Sequence, residues 1–385
     1  MNKTDSNTRI ILREPPKSLR VTCGGRLVGT LASTRENLVA FEYADQWIAE
    51  GFSLNPLSLP LEKRVFFPKY LPFEGLFGVF NDSLPDGWGR LLLDRLLRRQ
   101  GVDPGAVTPL TRLAIVGASG MGALAYEPEI DLEDASPMSD LDELADACAK
   151  ILETEYSEDL DELFALGGSS GGARPKILTT YNDEDWIIKF PTSADAPNAG
   201  EMEYRYALAA KECGIDMPEV KLFASKTTSG YFGVKRFERY RDSSGHTHRI
   251  YAASVSALLE TSHRLPSLDY SVLMRLTLKL TDDYRELAKL YRLMCFNVFA
   301  HNRDDHSKNF SFIYDTETGR WKLSPAYDLT YNAGMSGEHA TTVNGKGHDI
   351  ELADIIALGE NAGLSRFDCR DIACEIKEKT ITIGT

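Results

Sequence analysis

Short apolar runs alternate with turn residues along the first third of the chain. The runs at residues 19–22, 27–31 and 38–43 are separated by polar or glycine-containing segments such as Gly24-Gly25. Alternation over about four to eight residues between turn residues is typical of β-strands. The pattern therefore predicts a β-rich N-terminal region, residues 1–125.

A helical period replaces this alternation at residues 88–99, WGRLLLDRLLRR. Leu92 and Leu96 fall on one side of such a helix, as the apolar face of an amphipathic helix requires. The preceding turn cluster, residues 81–87 (NDSLPDG), is suited to cap its start, and Gly101 follows it as a C′ glycine would. We therefore expect one well-defined helix at residues 88–99, towards the end of the β-rich region.

The charge of the chain is concentrated in one window. The 385 residues include 43 Lys or Arg and 57 Asp or Glu, a net charge of −14. Residues 127–162 hold fifteen of the acids and a single base, Lys150, so the remainder is neutral with 42 of each sign. We expect this window to be a solvated linker with a surface helix over residues 139–153, N-capped by Ser139. The acidic total therefore says little about contact with DNA.

Composition and cysteine usage limit the class of protein. With 43% hydrophobic residues the chain can bury large cores, which excludes disorder throughout. The six cysteines include no CxxC pair and are typical of reduced cytosolic thiols, and the histidines show no zinc-binding spacing. Residues 1–17 lack the apolar segment of a secretory signal, and no run of about 18 apolar residues could span a bilayer. We expect a cytoplasmic protein without membrane contact.

A glycine-rich segment marks a change of pattern after the acidic window. Residues 166–176, LGGSSGGARPK, are followed by strand-like runs at 177–180 and 186–190. Because glycine lets the backbone approach closely, the N–H groups of such a loop can surround phosphates. Lys189 on the second strand could pair with phosphate oxygens, and Glu203 on a following helix could hold that lysine.

The richest polar cluster follows a long predicted helix, residues 282–301. Asp304 and Asn309 are five residues apart, as are Asp and Asn in the kinase catalytic loop H-R-D-x-x-x-x-N. Asp328 follows a predicted hairpin, where kinases place a second metal-binding carboxylate. Mg²⁺ prefers oxygen ligands, so one amide, one carboxylate and phosphate suffice. Each feature alone is more often structural, but their joint order predicts a phosphotransferase site.

The same segments resemble a known family. The stretches GGSSGGARPK, IIKFP, EMEYRYALAAKECG, NRDDHSKNFSF and SPAYD resemble the HipA family of bacterial serine/threonine kinases, the toxins of toxin–antitoxin pairs. The resemblance is strong over residues 163–330, and NDSLPDGWGR extends it towards the N-terminus. It implies an α+β, bilobal protein-kinase-like fold. The expected parts are a small β-rich N-terminal domain (1–125), an acidic linker or surface helix (126–162), a kinase N-lobe (163–240) and a helical C-lobe (241–385).

The resemblance also implies roles for individual residues. Asp304 would be the catalytic base, Asn309 and Asp328 would bind Mg²⁺, and Lys189, paired with Glu203, would contact ATP. The family's hinge, which meets adenine, corresponds to residues 234–237. The other residues expected near ATP are Gly171, Gly172, Ala173, Arg174 and Lys176 in the loop, Lys235, Arg236 and Phe237 at the hinge, and His306, Lys308 and Tyr327.

Regulation by the glycine-rich loop is implied as well. The family's loop contains a serine that is autophosphorylated, which expels the loop and inactivates the kinase. Ser169 matches that serine by its spacing to Gly172 and Lys176, and Ser170 is adjacent, so both are candidates. A phosphoserine inside a phosphate-binding loop would repel ATP and compete for the same donors.

Three functions remain open from the sequence. The first is an ATP- and Mg²⁺-dependent protein kinase acting as a toxin, with a HipB-like DNA-binding antitoxin and a translation-related protein substrate. The second is a corepressor scaffold whose catalysis is dispensable, and the third is a small-molecule or lipid phosphotransferase. We expect operator DNA to be contacted mainly through the antitoxin. Local basic residues that could assist are Arg95, Arg98 and Arg99.

Overall fold

The computed structural model shows two compact units. Unit 1 joins Met1–Gly200 to Phe223–Tyr251, and unit 2 joins Glu201–Leu222 to Ala252–Thr385. Within the residues that the structure describes, no helix is both long enough and apolar enough to cross a membrane. The described residues are 15–130, 140–153, 160–265, 267–381 and 383.

A five-stranded antiparallel sheet forms the first part of unit 1. Its strands are β1 (Ser18–Cys23), β2 (Arg26–Ser33), β3 (Val39–Tyr43), β4 (Val65–Phe66) and β5 (Leu124–Glu127). They lie in the order β4-β3-β2-β1-β5. The three strands predicted at the start of the chain are confirmed, and their Val21, Leu31 and Phe41 are fully buried in the core.

The helices of this region are α1 (Asp45–Glu50), α2 (Gly78–Asn81), α3 (Gly87–Arg99) and α4 (Pro109–Val116), with a 3₁₀ turn at Pro104–Ala106. Helix α3 confirms the predicted helix, since Leu92 and Leu96 are buried and Gly101 has a φ of 76°. Asp86 takes the N-cap position, yet its side chain makes no capping bond to α3. The turn cluster therefore starts the helix without the side-chain cap that we expected from it.

Two helices follow in the acidic window, α5 (Leu141–Glu153) and α6 (Leu160–Gly167). Helix α5 confirms the helix predicted over 139–153, although Ser139, its expected N-cap, lies outside the described residues, and α6 was not predicted. One face of α5 is buried in the same core as the leucines of α3 and α6, and Ile151 lies on that face. The acidic side chains therefore conceal an amphipathic helix that contributes to the core of unit 1.

The same window engages two of the three arginines of α3 that we expected to assist DNA contact. Arg99 forms an ion pair with Asp161, and Arg95 donates to the main-chain oxygen of Ile151. Arg98 is exposed. The three arginines therefore do not form one exposed basic surface.

A second sheet follows the glycine-rich loop. The elements here are β6 (Lys176–Tyr181), β7 (Glu184–Lys189), α7 (Ala199–Glu212), β8 (Val220–Phe223) and β9 (Tyr231–Lys235). Strand β7 pairs antiparallel with β6 on one side and β9 on the other. The strands predicted around residues 177–180 and 186–190 are confirmed, with Ile177 and Ile188 buried.

A hairpin of β10 (Arg239–Arg241) and β11 (Thr247–Arg249) connects this region back to the N-terminal domain. The guanidinium of Arg249 donates to the carbonyl oxygens of Ala118, Gly120 and Gly122 at 2.7, 2.9 and 2.7 Å. It also donates to that of Leu124 at 3.3 Å. One side chain therefore satisfies four carbonyl groups of a segment more than a hundred residues earlier.

Unit 2 is mainly helical and includes the segment that contains the polar cluster. The long helix predicted over 282–301 is confirmed, with Leu287, Leu290 and Met294 buried along one face. The predicted hairpin is confirmed as two antiparallel strands. In chain order the elements are β12 (Tyr251–Ser254), α8 (Val255–Leu258), β13 (Leu268–Asp269), α9 (Tyr270–Thr281), α10 (Tyr284–Phe299), β14 (Ser311–Asp315), β15 (Arg320–Leu323), β16 (Thr341–Thr342), α11 (Leu352–Asn361) and α12 (Arg366–Thr380).

Candidate functional site

The glycine-rich loop lies between α6 and β6, and its two serines have different surroundings. Ser170 is 1% exposed, and its hydroxyl donates to the carbonyl oxygen of Gly167 at 2.6 Å. Ser169 is partly exposed, and its hydroxyl donates to the carbonyl oxygen of Ser119 at 3.0 Å. Gly171 and Gly172 are exposed, and Gly172 has a φ of 88°, a conformation that favours glycine. The loop thus presents its second half to solvent.

Two lysines lie on one face of the sheet beside this loop. Lys176 and Lys189 are directly opposite each other in the antiparallel register of β6 and β7, so their side chains project to the same side. The Nζ of Lys176 donates to the carbonyl oxygen of Gly171 at 2.5 Å, and the Nζ of Lys189 lies 5.6 Å from the ring centre of Phe232. Two ammonium groups on one face make this region suited to an anion.

Other residues predicted to contact ATP from unit 1 take part in ion pairs. Arg174 pairs with Asp195 at 2.9 Å, and Lys235 pairs with Glu184 at 2.8 Å. Arg236 is buried and pairs with the equally buried Glu238, while its main-chain N–H donates to Asp185. The charged groups at the expected hinge therefore pair with neighbouring carboxylates. Their contact with ATP, like that of Ala173 and the partly exposed Phe237, stays a prediction.

Glu203 is on α7 and is buried in unit 2. Its predicted pairing with Lys189 of unit 1 stays a prediction.

The catalytic-loop residues predicted from the five-residue spacing are brought together in unit 2. The side-chain amide of Asn309 donates to the main-chain oxygen of Asp304 at 2.7 Å. The carboxylate of Asp304 is 55% exposed, and its Oδ1 lies 4.0 Å from Nε2 of His306. Because the amide nitrogen of Asn309 is engaged by the loop, its amide oxygen is the atom that can serve a cation.

Asp305, the residue after Asp304, is 0% exposed and joins the loop to the core of unit 2 through buried hydrogen bonds. Its Oδ2 accepts from the hydroxyl of Tyr270 at 2.8 Å and lies 3.1 Å from Nδ1 of His339. Its Oδ1 accepts from the main-chain N–H of Thr341 at 3.1 Å, and the Thr341 hydroxyl donates to its carbonyl oxygen. Burial and the Asp305 charge raise the pKa of Tyr270 well above its usual value, so this hydroxyl remains a donor.

The sequence did not identify this role of Asp305. The only signal was the Asp-Asp pair itself, which does not say which carboxylate is buried. The network continues beyond Tyr270. The side-chain amide of Asn297 donates to the Tyr270 hydroxyl at 3.0 Å, and that of Asn302 donates to Oδ1 of Asn297 at 2.9 Å. A buried and connected polar network of this kind fixes the main chain that it binds. The loop with Asp304 is therefore held by buried side chains.

Asp328 follows the β14–β15 hairpin, as predicted, and is exposed. Its φ of 59° is in the left-handed region, a conformation that non-glycine residues adopt rarely and often at functional sites. The neighbouring Tyr327 lies against the catalytic loop, since its hydroxyl donates to the main-chain oxygen of Lys308 at 2.7 Å. The structure thus gives Tyr327 a supporting role for the loop, and its predicted contact with ATP stays untested.

The donor set suits a hard cation only in part. In the described ranges no group of three or more His, Cys, Asp or Glu side chains could hold a metal ion. Asn309 and Asp328 provide an amide oxygen and a carboxylate, and Mg²⁺ commonly takes one or two carboxylates with waters and substrate phosphates. These two residues therefore fit a magnesium ion that arrives with a nucleotide.

Two family models match this chain, one in its N-terminal part and one in its C-terminal part. The family described as HipA-like C-terminal domain matches residues 168–382, and that described as HipA N-terminal domain matches residues 19–127. Two Sinorhizobium fredii proteins, Y4mE and Y4dM, are described by their names as candidate kinases. Y4mE is 28% identical over 81% of this chain and 76% of its own length. Y4dM is 24% identical over 94% of this chain and 87% of its own.

A solved structure shows the same fold. HipA from Shewanella oneidensis MR-1, in a complex with HipB and its operator DNA, matches with a TM-score of 0.70 and 18% identity. The match covers 95% of this chain and 89% of that one. The predicted fold class is confirmed as HipA-like, and the family matches together extend over most of the described residues. The chain belongs to the HipA family.

Proposed function

We propose that the chain is an ATP- and Mg²⁺-dependent serine/threonine protein kinase. The observation that carries the proposal is the catalytic loop, in which Asn309 binds the main chain of Asp304 and buried Asp305 anchors the same loop. This leaves an exposed carboxylate on a fixed support, as a residue that orients a substrate hydroxyl requires. Kinase names of the relatives support the same class of reaction.

The proposed reaction transfers the terminal phosphoryl group of ATP to a serine or threonine hydroxyl. The hydroxyl oxygen forms the new bond to phosphorus, Asp304 accepts its proton, and ADP leaves. Lys176 and Lys189 would neutralise phosphate charge from their shared face of the sheet. Asn309 and Asp328 would hold Mg²⁺, which supplies charge neutralisation on the phosphate oxygens.

Autophosphorylation of the glycine-rich loop is a further part of the proposal, with Ser169 as the acceptor. Its hydroxyl is partly exposed and bonded to one main-chain oxygen, whereas the Ser170 hydroxyl is buried and bonded within the loop. Phosphate on Ser169 would break the bond to Ser119 and place two negative charges in the loop. The modified loop would no longer receive ATP, which makes the kinase self-limiting.

The partner that we propose is a DNA-binding antitoxin. The related Shewanella HipA was solved with HipB and operator DNA, which supports a similar partner here. Two of the three candidate arginines on α3 are engaged within unit 1, so the antitoxin would make most phosphate contacts itself. As a toxin, the kinase would inhibit growth by phosphorylating a translation-related protein.

The test is transfer of labelled phosphate by the purified chain with ATP and Mg²⁺. We expect incorporation into the wild-type chain and incorporation by Asp304→Asn that is slower by roughly a hundredfold or more. Asp349→Asn is a matched control, because the Asp349 side chain is 92% exposed and pairs with its neighbour His348. Equal incorporation by wild type and Asp304→Asn would contradict the proposal.

Substrate class can be settled with the same pair of proteins. Phosphoproteins that accumulate in cells expressing wild type but not Asp304→Asn would identify the protein substrate. Phosphorylation of a metabolite or lipid without any phosphoprotein would indicate a small-molecule phosphotransferase. If Asp304→Asn retained the full cellular effect together with the antitoxin, the chain would act as a corepressor scaffold.

A further inference from the structure

The start of α3 contacts the glycine-rich loop, although the two are about eighty residues apart in sequence. We call residues 86–89, Asp-Gly-Trp-Gly, the DGWG segment. The main-chain N–H of Trp88 donates to the carbonyl oxygen of Gly172 at 2.9 Å. The indole N–H of Trp88 donates to the carbonyl oxygen of Lys176 at 3.1 Å. Trp88 of the N-terminal domain thus binds the loop at Gly172 and again at Lys176, where β6 begins.

The glycines of the DGWG segment are required by this close approach. A Cβ atom on Gly87 would lie 2.4 Å from the carbonyl oxygen of Gly172, and one on Gly89 would lie 2.5 Å from that of Ser170. These distances are well inside van der Waals contact with main-chain atoms. The segment is therefore shaped to fit the loop, which explains its composition better than helix formation does.

The side chain of Asp86 makes the contact that bears most on function. Its Oδ1 accepts a hydrogen bond from the main-chain N–H of Gly172. A Cβ on Gly171 would lie 3.4 Å from the same oxygen, so the carboxylate lies along the exposed part of the loop. Asp86 occupies the N-cap position of α3 but makes no capping bond to that helix. Its carboxylate is directed to the loop instead.

The proposed function assigns the N–H groups of this loop to the phosphates of ATP. The carboxylate of Asp86 is bound to one of these donors, the N–H of Gly172, where the proposal places a phosphate. Two negative groups this close repel each other. We infer that Asp86 is a positioning residue that holds the glycine-rich loop before nucleotide binds and that ATP phosphates must displace it. This inference rests on the proposed function, because it needs the loop to bind a nucleotide.

The inference predicts the sign of a change in affinity. Asp86→Asn keeps an oxygen acceptor of the same shape and removes the negative charge, so the affinity for Mg·ATP should rise. A residue that merely shaped the loop for ATP would give the opposite sign when removed. Asp45→Asn is the matched control, because Asp45 lies on the surface of the same domain and pairs with Lys63.

The experiment uses the full-length chain and two measurements. The first is the dissociation constant of a fluorescent ATP analogue with Mg²⁺. We expect roughly three- to tenfold tighter binding by Asp86→Asn and no change for Asp45→Asn. Weaker or unchanged binding by Asp86→Asn would overturn the inference.

The second measurement is amide hydrogen exchange over residues 167–176 without nucleotide. We expect faster exchange in Asp86→Ala than in wild type, because the Gly172 N–H loses its acceptor. Unchanged exchange would overturn the inference whether or not the chain binds ATP. If exchange became faster but no protein bound Mg·ATP, the proposed function would fail, and a role of Asp86 against ATP would fail with it. A melting temperature for each variant shows that it is folded.

Discussion

The glycine-rich loop of unit 1 and the catalytic loop of unit 2 are both held by polar contacts, but they differ in burial. The catalytic loop is bound through Asp305, Tyr270 and Thr341, all buried. The second half of the glycine-rich loop is exposed and is bound at its surface by Asp86. Exposed hydrogen bonds can be exchanged for water or a ligand at little cost, whereas a buried acceptor without its donor costs about 1–3 kcal/mol. The proposed catalytic loop is therefore held in one position by buried hydrogen bonds. The N–H groups proposed to bind phosphate can instead exchange their present acceptor for a ligand.

Among the variants that test the difference between the two loops, Asp304→Asn should have the largest effect on the rate of phosphate transfer. Loss of the proton acceptor should reduce phosphate transfer by roughly 10²–10⁴-fold while Mg·ATP still binds. Transfer rate and nucleotide affinity are measured on the same preparation, with Asp349→Asn as the control. A comparable loss of affinity would place Asp304 in nucleotide binding instead.

A smaller but still large effect is expected for Asp305→Asn. The amide cannot accept at every position that the carboxylate serves, so the loop should shift, and a displacement of about 1 Å can cost about a hundredfold in rate. We expect kcat to fall about ten- to a hundredfold with the KM for ATP little changed. A melting temperature near that of wild type excludes global unfolding, and an equal change in KM and kcat would show that the buried network does not act through Asp304.

The exposed loop offers a third test, on its two serines. Ser169→Ala should abolish incorporation of phosphate into the glycine-rich loop, while Ser170→Ala should leave it in place. Mass spectrometry of the loop peptide after incubation with Mg·ATP locates the phosphate. Phosphate on Ser170 in the wild-type chain would mean that the buried serine becomes accessible before modification.

The smallest effect is expected at the partly buried pair of Arg99 and Asp161, which joins α3 to α6. Arg99→Ala should lower the free energy of unfolding by about 0.5–1 kcal/mol, the range of partly exposed ion pairs. Denaturant titration measures this change, and Arg98→Ala is the control because Arg98 is exposed on the same helix. An equal effect of both substitutions would assign it to the loss of a positive charge in the last turn of α3 and not to the pair.

The sequence predicted elements best where a local period was clear. The strands of the first sheet, helix α3 and helix α10 follow directly from apolar spacing. The five-residue separation of Asp304 and Asn309 indicated one local loop, and the structure shows these two residues in contact within it. In these cases the relevant partners are close in sequence, so a local pattern contains the information.

The parts that could not be predicted depend on partners far along the chain. The turn cluster at residues 81–87 was expected to cap α3, yet the acceptor oxygen of its Asp86 serves Gly172, 86 residues later. The burial of one face of α5 was concealed by its acidic composition, and Asp305 could not be distinguished from Asp304. A single sequence records the types of these residues but not the tertiary contacts that decide between their roles.

Arg249 has a consequence for the order in which the chain can fold during synthesis. Four carbonyl groups between Ala118 and Leu124 obtain this donor only after the ribosome has made residue 249. By then the glycine-rich loop and the strand with Lys189 have already been made. The nascent N-terminal domain therefore lacks these four hydrogen bonds until residue 249 is made, and an arrest of translation before that residue should leave the segment open to proteases and chaperones.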